Sequence, residues 1–143
     1  MIIMAIDYGD VRTGVAVCDK NEMLASPVCI VEQRNADLLI EKICSLATEY
    51  KAEQLVVGLP KNMDSSEGDR AQKCKSFAET LSEKTGLEVV MRDERLSTVY
   101  AHNVLNTTNT RGKKRKAVVD QVAAVMILQD YIDFRKNQKI YYN

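Results

Sequence analysis

Residues 1–18 have the sequence MIIMAIDYGDVRTGVAVC, and the fold is predicted outward from this stretch. Residues 2–7 are apolar on both faces until Asp7, which is typical of a buried central strand. Gly9, Asp10 and Gly14 bracket a turn, and residues 14–18 then predict a returning strand. Because the connection is short, the two strands should pair as an antiparallel hairpin.

The remaining chain predicts one further strand of the antiparallel set and then alternating helices and strands. Residues 23–31 predict a third strand that is interrupted or bent near Pro27. After it we expect a helix capped by Asn35 or Asp37 and running to about Lys51, a buried strand at 54–58 and a loop at 59–66. A helix to about Thr85 that stops at Gly86 and a strand at 87–92 should follow. The chain then predicts a helix from Ser97 or Thr98 to about Leu105 and a last helix from about Lys116 to Arg135.

This order predicts an α/β fold with a five-stranded mixed sheet, in which three antiparallel strands are followed by parallel ones and helices cover both faces. The 143 residues are 45% hydrophobic and 28% charged, which suits one globular domain spanning 1–143. In such sheets ligands bind at the carboxyl ends of the parallel strands. Function is therefore expected near Asp7, Gly58 and the acids at 93–94.

Charge and cysteine content narrow the classes of function. Twenty basic and twenty acidic residues give zero net charge, so any nucleic-acid binding must come from a local patch. The four cysteines form no C-x-x-C pair, which favours buried, reduced thiols over zinc or disulfides. No apolar stretch approaches the length of a membrane span, and the start of the chain lacks the basic region of a signal peptide. A cytoplasmic location is expected.

Four acidic residues stand where acids are unusual. Asp7 ends the first strand, Asp93 and Glu94 end the strand at 87–92, and Asp120 shares a helix face with small and apolar residues at 123, 124 and 127. Carboxylates supplied by separate elements are the ligands that a hard cation such as Mg²⁺ requires. The ordinary alternatives stay open: a solvated hairpin Asp, first-turn acids favoured by a helix dipole, and a surface ion pair between Lys116 and Asp120.

Residues 111–116, RGKKRK, contain five cations in six residues, and we call them the basic cluster. Most such runs are simply solvated, but near a phosphodiester-cleaving site the cluster would neutralise substrate phosphates. The lone His102 has no clear partner in the sequence, and we expect it to have a structural or surface role.

Four segments together resemble the YqgF/RuvX family of RNase H-like nucleases. They are D-x-G-x-x-x-x-G-V-A from Asp7, G-L-P-x-x-M-D from Gly58, D-E-R-L-S-T from Asp93 and K-x-x-x-D-x-x-A-A from Lys116. The resemblance covers nearly the whole chain. One departure is Ser65, where the family commonly has Gly. The family is described both as Holliday junction resolvases and as nucleases that process the 5′ end of pre-16S ribosomal RNA.

The resemblance implies an RNase H-like fold and phosphodiester hydrolysis with two Mg²⁺ or Mn²⁺ ions. It implies that Asp7, Glu94 and Asp120 hold the metals and are catalytic, with Asp93 less certain. Phosphate contacts are expected from Arg12, Arg95, Lys113, Lys114, Arg115 and Lys116. The partner is expected to be nucleic acid, precursor ribosomal RNA rather than branched DNA, within a pre-ribosomal particle. The oligomeric state is left open.

Three rival functions remain at this point. The first is a Holliday junction resolvase acting on branched DNA. The second is a non-catalytic nucleic-acid-binding factor that keeps the acids for structure. The third is an actin-like ATPase or sugar kinase, whose phosphate loop also begins D-x-G; that class needs a second such domain, for which this chain has neither the motif nor the length.

Overall fold

The computed structural model describes residues 1–60, 68–93 and 112–142, and in the last helix it describes the side chains of residues 122–138. The elements are β1 Ile3–Asp7, β2 Arg12–Cys18, β3 Ala25–Glu32, α1 Ala36–Glu49, β4 Gln54–Leu59, α2 Asp69–Thr85, β5 Glu88–Asp93 and α3 Gly112–Tyr142. The predicted helix at 97–105, and most of the predicted loop at 59–66, lie outside the described residues.

The five strands form one mixed sheet in the order β3-β2-β1-β4-β5. β1 pairs antiparallel with β2 and parallel with β4, and β4 pairs parallel with β5. β1 is therefore central, and its residues from Ile3 to Ile6 are completely buried. This confirms the predicted α/β class, the antiparallel hairpins and the buried first strand.

The edge strand β3 is irregular at Pro27, as predicted. Val15 of β2 faces Cys29, but the next residue, Ala16, faces Pro27. Val28 is thus an extra residue, which makes a β-bulge. Proline has no N–H to donate to a ladder, so it is tolerated at a bulge on an edge strand.

The helices cover both faces of the sheet. α1 and α2 pack on one face over a core that includes Met4 and Ile6 of β1. α3 packs on the other face over Ile3 and Ala5. The side chain of Asn35 accepts from the Leu38 N–H at 3.1 Å and caps α1. α2 ends at Gly86 in the left-handed conformation, φ 71°.

The predicted bounds of the last helix are wrong at both ends. The helix begins at Gly112, not near Lys116, and continues to Tyr142, well past Arg135. The reason is that residues 113–142 contain no Gly or Pro, and Lys and Arg are good helix formers. Most of the basic cluster therefore lies in the first turns of α3 rather than in a loop before it.

The far end of α3 is anchored at the amino end of β1. Nε of Arg135 donates to Oε1 of Glu22 at 2.6 Å, and the N-terminal amine donates to Oε2 at 3.0 Å. The hydrogen bond from Arg135 is the main reason that the pKa of the Glu22 carboxyl falls to about 2. One turn earlier, Oη of Tyr131 donates to Oε1 of the buried Gln54 at 3.0 Å. These contacts fix the position of α3 along the sheet.

Cys18 and Cys74 are buried, as expected, whereas Cys29 and Cys44 are only half-buried. Burial raises the pKa of Cys18, Cys29 and Cys44 above the ordinary value, which keeps these thiols protonated. None of the helices in the described part of the chain is long and apolar enough to cross a membrane.

Candidate active site

The carboxyl ends of the three parallel strands meet at one edge of the sheet. Ile6 of β1 pairs with Val57 of β4, so Asp7 lies level with Gly58. Gly58 in turn pairs with Arg92 of β5. Asp7 is half-buried at this edge, and it faces Gly14 of β2, which adds no side chain beside it. A carboxylate is thus held on rigid backbone at the edge where ligands of such sheets bind.

Strand alternation assigns Asp7 to the face that α3 covers. Ile3 and Ala5, the two residues of the same parity, both lie in the core under α3. Because side chains alternate along a strand, Asp7 points to that face as well.

The same rule separates Asp93 from Asp7. In β5, Val89 and Met91 pack in the core under α1 and α2, and Asp93 shares their parity. The residue between them, Arg92, reaches the other face, where its Nε binds Oδ2 of Asp130 in α3 at 2.8 Å. Asp93 and Asp7 therefore start from opposite faces of the sheet.

The position of α3 brings the backbone of Asp120 to the same edge. Tyr131 is level with Gln54, which pairs with Ile3 at the start of β1. Asp7 follows Ile3 by roughly 13 Å of extended strand. Asp120 precedes Tyr131 by roughly 16 Å of helix. The anchor at Arg135 shows that α3 runs antiparallel to β1, toward its amino end. Both offsets therefore lead from the level of Ile3 toward the carboxyl edge of the sheet, and the backbone of Asp120 lies near the level of Asp7. The side chain of Asp120 is outside the described part of the helix.

The helix face that carries Asp120 is the face that packs on the sheet. Ala123, Ala124 and Ile127 follow Asp120 at i+3, i+4 and i+7, and all three are at most 3% exposed. Residues at this spacing share one side of a helix. The small and apolar residues that share a face with Asp120 thus pack on the sheet, and the alanines allow a close approach between α3 and the sheet.

Arg12 lies on the same face of the sheet as Asp7, and one of its donors has no partner among the described residues. It has the parity of Ala16 and Cys18, which both pack under α3. Its Nε is 3.4 Å from Oε1 of Glu32, an exposed carboxylate on β3. Its Nη1 is buried and donates to no atom of the described residues. A buried donor without a partner is costly and rare in native proteins.

The loop that follows Asp7 is held from α2 by Arg70, a residue that no sequence motif singles out. Nη1 of Arg70 donates to Oδ1 of Asp10 at 2.6 Å, and Nη2 donates to the carbonyl oxygen of Tyr8. The guanidinium also lies 4.8 Å from the centre of the Tyr8 ring. That ring stacks on Phe77 at 4.1 Å. Tyr8 is thus a packing residue.

Gly9 completes this loop because no other residue fits there. A Cβ at Gly9 would collide with the backbone carbonyl oxygen of Arg12. The buried hydroxyl of Thr13 accepts from the Gly9 N–H at 3.3 Å. The first glycine of the D-x-G motif therefore serves a tight loop between Asp7 and Arg12.

The other predicted site residues cannot be placed with equal detail. Glu94 and Arg95 lie outside the described residues, as do Ser65 and His102. The side chains of Lys113, Lys114, Arg115 and Lys116 are not described, although their backbone forms the first turns of α3. Within the described part of the chain, no three acidic, histidine or cysteine side chains form a group that could hold a metal ion.

Comparison with solved structures identifies the fold. Over 96% of both chains, the protein superimposes on Thermus thermophilus RuvC in complex with a Holliday junction substrate, with a TM-score of 0.62 and 12% identity. It matches the fowlpox virus Holliday junction resolvase over 94% of this chain and 99% of that one, with a TM-score of 0.55 and 14% identity. At these identities the likeness concerns the fold alone, and it confirms the RNase H-like architecture.

Sequence comparison identifies the family. The sequence model of RuvX, described as "Holliday junction resolvase", matches residues 1–134. A protein from Agathobacter rectalis named "Putative pre-16S rRNA nuclease" is 40% identical over 142 residues, covering 97% of this chain and 99% of that protein. A protein of the same name from Halothermothrix orenii is 43% identical over 135 residues, covering 94% and 96%. As its four motifs predict, the chain belongs to the RuvX family of nucleases.

Proposed function

We propose that this protein is a divalent-metal-dependent endonuclease that hydrolyses phosphodiester bonds in precursor ribosomal RNA, at the 5′ end of pre-16S RNA. The observation that carries the proposal is the position of Asp7, a half-buried carboxylate at the carboxyl edge of the sheet on the face covered by α3. Family membership and the names of the relatives supply the reaction class and the favoured substrate.

We assign the metal ligands to Asp7, Glu94 and Asp120. Asp7 fits a hard cation, because a carboxylate on rigid backbone at this edge is the oxygen donor that Mg²⁺ or Mn²⁺ prefers. Of the two adjacent acids at the end of β5, the family resemblance favours Glu94, and the parity of Asp93, which is that of the opposite face, supports this choice. Two bound ions would activate the attacking water and stabilise charge on the leaving oxygen.

The cations around this edge are assigned to the substrate. Arg12 is on the face of Asp7, and its buried Nη1, which has no partner in the described part of the chain, suits a phosphate oxygen. Most of the basic cluster lies in the first turns of α3, where cations destabilise a helix because of its dipole. A helix start rich in Lys and Arg is better explained by phosphate binding than by helix stability, which supports its assignment. Arg95 and Lys116 are assigned the same role on the sequence alone, and Lys116 has the alternative role of orienting Asp120.

Branched DNA is the second candidate substrate, favoured by the description of the family model. The discriminating experiment is a side-by-side cleavage assay with Mg²⁺ and Mn²⁺ on precursor ribosomal RNA, single-stranded RNA and a synthetic four-way DNA junction. We expect weak cleavage of RNA, tolerant of sequence, and intact junctions. Symmetric paired nicks in the junction with intact RNA would instead assign a resolvase and require a dimer with two facing sites.

A non-catalytic binding factor is the third candidate, and the same assay addresses it. Nucleic-acid binding with no cleavage in either metal would assign that function. The proposal places the protein in the cytoplasm, on a pre-ribosomal particle. Sequencing of ribosomal RNA 5′ ends in cells depleted of the protein tests its role in processing, because unprocessed 16S precursors should accumulate.

A further inference from the structure

A cleft of about 600 Å³ opens between the start of α1 and one side of α2, beneath the loop that follows Asp7. It lies on the face of the sheet opposite α3. Tyr8 and Asp10 of the loop form one wall. The cleft thus begins one residue beyond Asp7 in the chain, although the Asp7 side chain points to the other face. None of the metal or phosphate assignments made above uses it.

The cleft has an apolar floor and a polar rim. Ile40 and Phe77 are buried at its base. Arg34 and Lys73 are exposed at its rim, one before α1 and one on α2. Neither forms an ion pair with any residue in the described part of the chain. Gln72, Ser76 and Thr80, all on the same side of α2, add hydrogen-bonding groups to the lining.

The acidic side chains in the cleft do not cancel these cations. Asp10 is paired with Arg70 at 2.6 Å, so its charge is compensated from outside the lining. Asp37, in the first turn of α1, is the other carboxylate of the lining. Within residues 1–60, 68–93 and 112–142, two cations without an ion pair line the cleft against one such acid. The local charge balance therefore favours an anion, although the net charge of the whole chain is zero.

We propose that this cleft binds the phosphate backbone of the nucleic-acid strand that enters or leaves the active site, one or a few nucleotides from the bond that is cut. The inference rests on the proposed nuclease function and names a second contact for the same substrate. A cleft of this volume is the size of a small-molecule pocket, so it admits a single flexible strand and excludes a duplex.

The lining also predicts that this contact ignores base identity. The Tyr8 ring is stacked on Phe77 and contacted by the Arg70 guanidinium, so it is not free to stack a base in the manner of single-strand-binding proteins. Arg34 and Lys73 are point contacts for phosphate, which position a strand without reading its sequence.

The test is the affinity for single-stranded RNA oligonucleotides, measured by fluorescence anisotropy in EDTA so that no cleavage occurs. The variant is Arg34→Ala/Lys73→Ala. Its matched control is Lys42→Ala/Lys84→Ala, which removes the same charge from exposed positions of α1 and α2 outside the cleft. At 0.1 M salt, removal of two phosphate contacts should weaken binding roughly 10- to 25-fold and flatten the slope of log K against log salt by about 1.4. The control should change affinity less than twofold.

A second variant makes the opposite prediction, because it should strengthen binding. Asp37→Asn should tighten RNA binding severalfold, since it removes the uncompensated acid of the cleft. Glu41→Gln, an exposed residue one turn further along α1, is its control and should have little effect.

The possible outcomes test the proposal for the cleft and the proposed nuclease function separately. Equal effects of the cleft variants and their controls, with wild-type protein binding RNA normally, overturn the cleft and leave the nuclease proposal standing. Failure of the wild-type protein to bind any RNA or DNA overturns both. If the double variant loses affinity for a free mononucleotide but keeps its affinity for oligonucleotides, the cleft is a nucleotide site and the strand assignment is overturned.

Discussion

The contacts of Arg70 lead to a prediction that connects stability with activity. In Arg70→Ala, the loop after Asp7 loses a charged hydrogen bond to the Tyr8 carbonyl, an ion pair with Asp10 and a contact with the Tyr8 ring. A charge-assisted hydrogen bond contributes about 1.5 kcal/mol, an exposed ion pair about 0.5 kcal/mol and the ring contact about 0.5 kcal/mol. Because the three share one side chain, their contributions are not additive, and we expect the free energy of unfolding to fall by about 2 kcal/mol.

Urea unfolding measures this decrease directly, and Lys84→Ala is the control for removing an exposed cation from α2. Arg70→Lys keeps the charge but not the fork of donors, so it should recover only part of the stability. At a temperature where Arg70→Ala remains fully folded, metal-dependent cleavage should still fall at least tenfold, because Tyr8 is bonded to Asp7 and a looser loop misplaces the carboxylate. Arg70→Ala with stability within about 0.5 kcal/mol of wild type and unchanged cleavage would refute this reasoning.

The remaining predictions concern the anchor of α3, the basic cluster and the metal. Glu22→Gln should lower the free energy of unfolding by about 1–3 kcal/mol at neutral pH. Since the pKa of Glu22 in the folded protein is lowered to about 2, this loss should shrink as the pH falls from 4.5 toward 2, and urea unfolding at several pH values measures it. Replacing the cations at 113–115 by Ala should weaken binding to all sequences and flatten the salt slope by up to about 0.7–0.9 for each phosphate that the cluster no longer neutralises; an unchanged slope would assign the cluster to solvent. Asp7→Asn should fold normally and lose most of the rise in melting temperature that millimolar Mn²⁺ gives the wild type; no rise in wild type, with a much lower melting temperature in the variant, would make the acid structural.

The central strand and the helix caps could be predicted from the sequence because they depend on local signals. The apolar run before Asp7, the Asn35 cap and the Gly86 stop each act within a few residues, and the structure has all three. The start of α3 could not be placed the same way, because two local signals conflict there: Lys and Arg favour a helix by propensity, but cations at a helix start are disfavoured by its dipole.

The site itself was only partly predictable, for a different reason. Alternation along β5 is a local signal, but the face to which Asp93 belongs is known only from the packing of Val89 and Met91 under α1 and α2. The contact of Arg70 with Tyr8 and Asp10 joins α2 to the first loop, which is distant in the sequence. No local pattern predicts a contact of this kind. The buried donor of Arg12 likewise becomes visible only when β2 is packed against its neighbours.

The most direct test of the account is cleavage of precursor ribosomal RNA by three purified proteins in Mn²⁺: wild type, Asp7→Asn, and Asp69→Asn as a control at an exposed acid of α2. The account predicts cleavage by wild type and by Asp69→Asn, abolished by EDTA, and none above background by a folded Asp7→Asn. Cleavage by Asp7→Asn at the wild-type rate would contradict it, because the carboxylate at the edge of the sheet would then not be part of the active site.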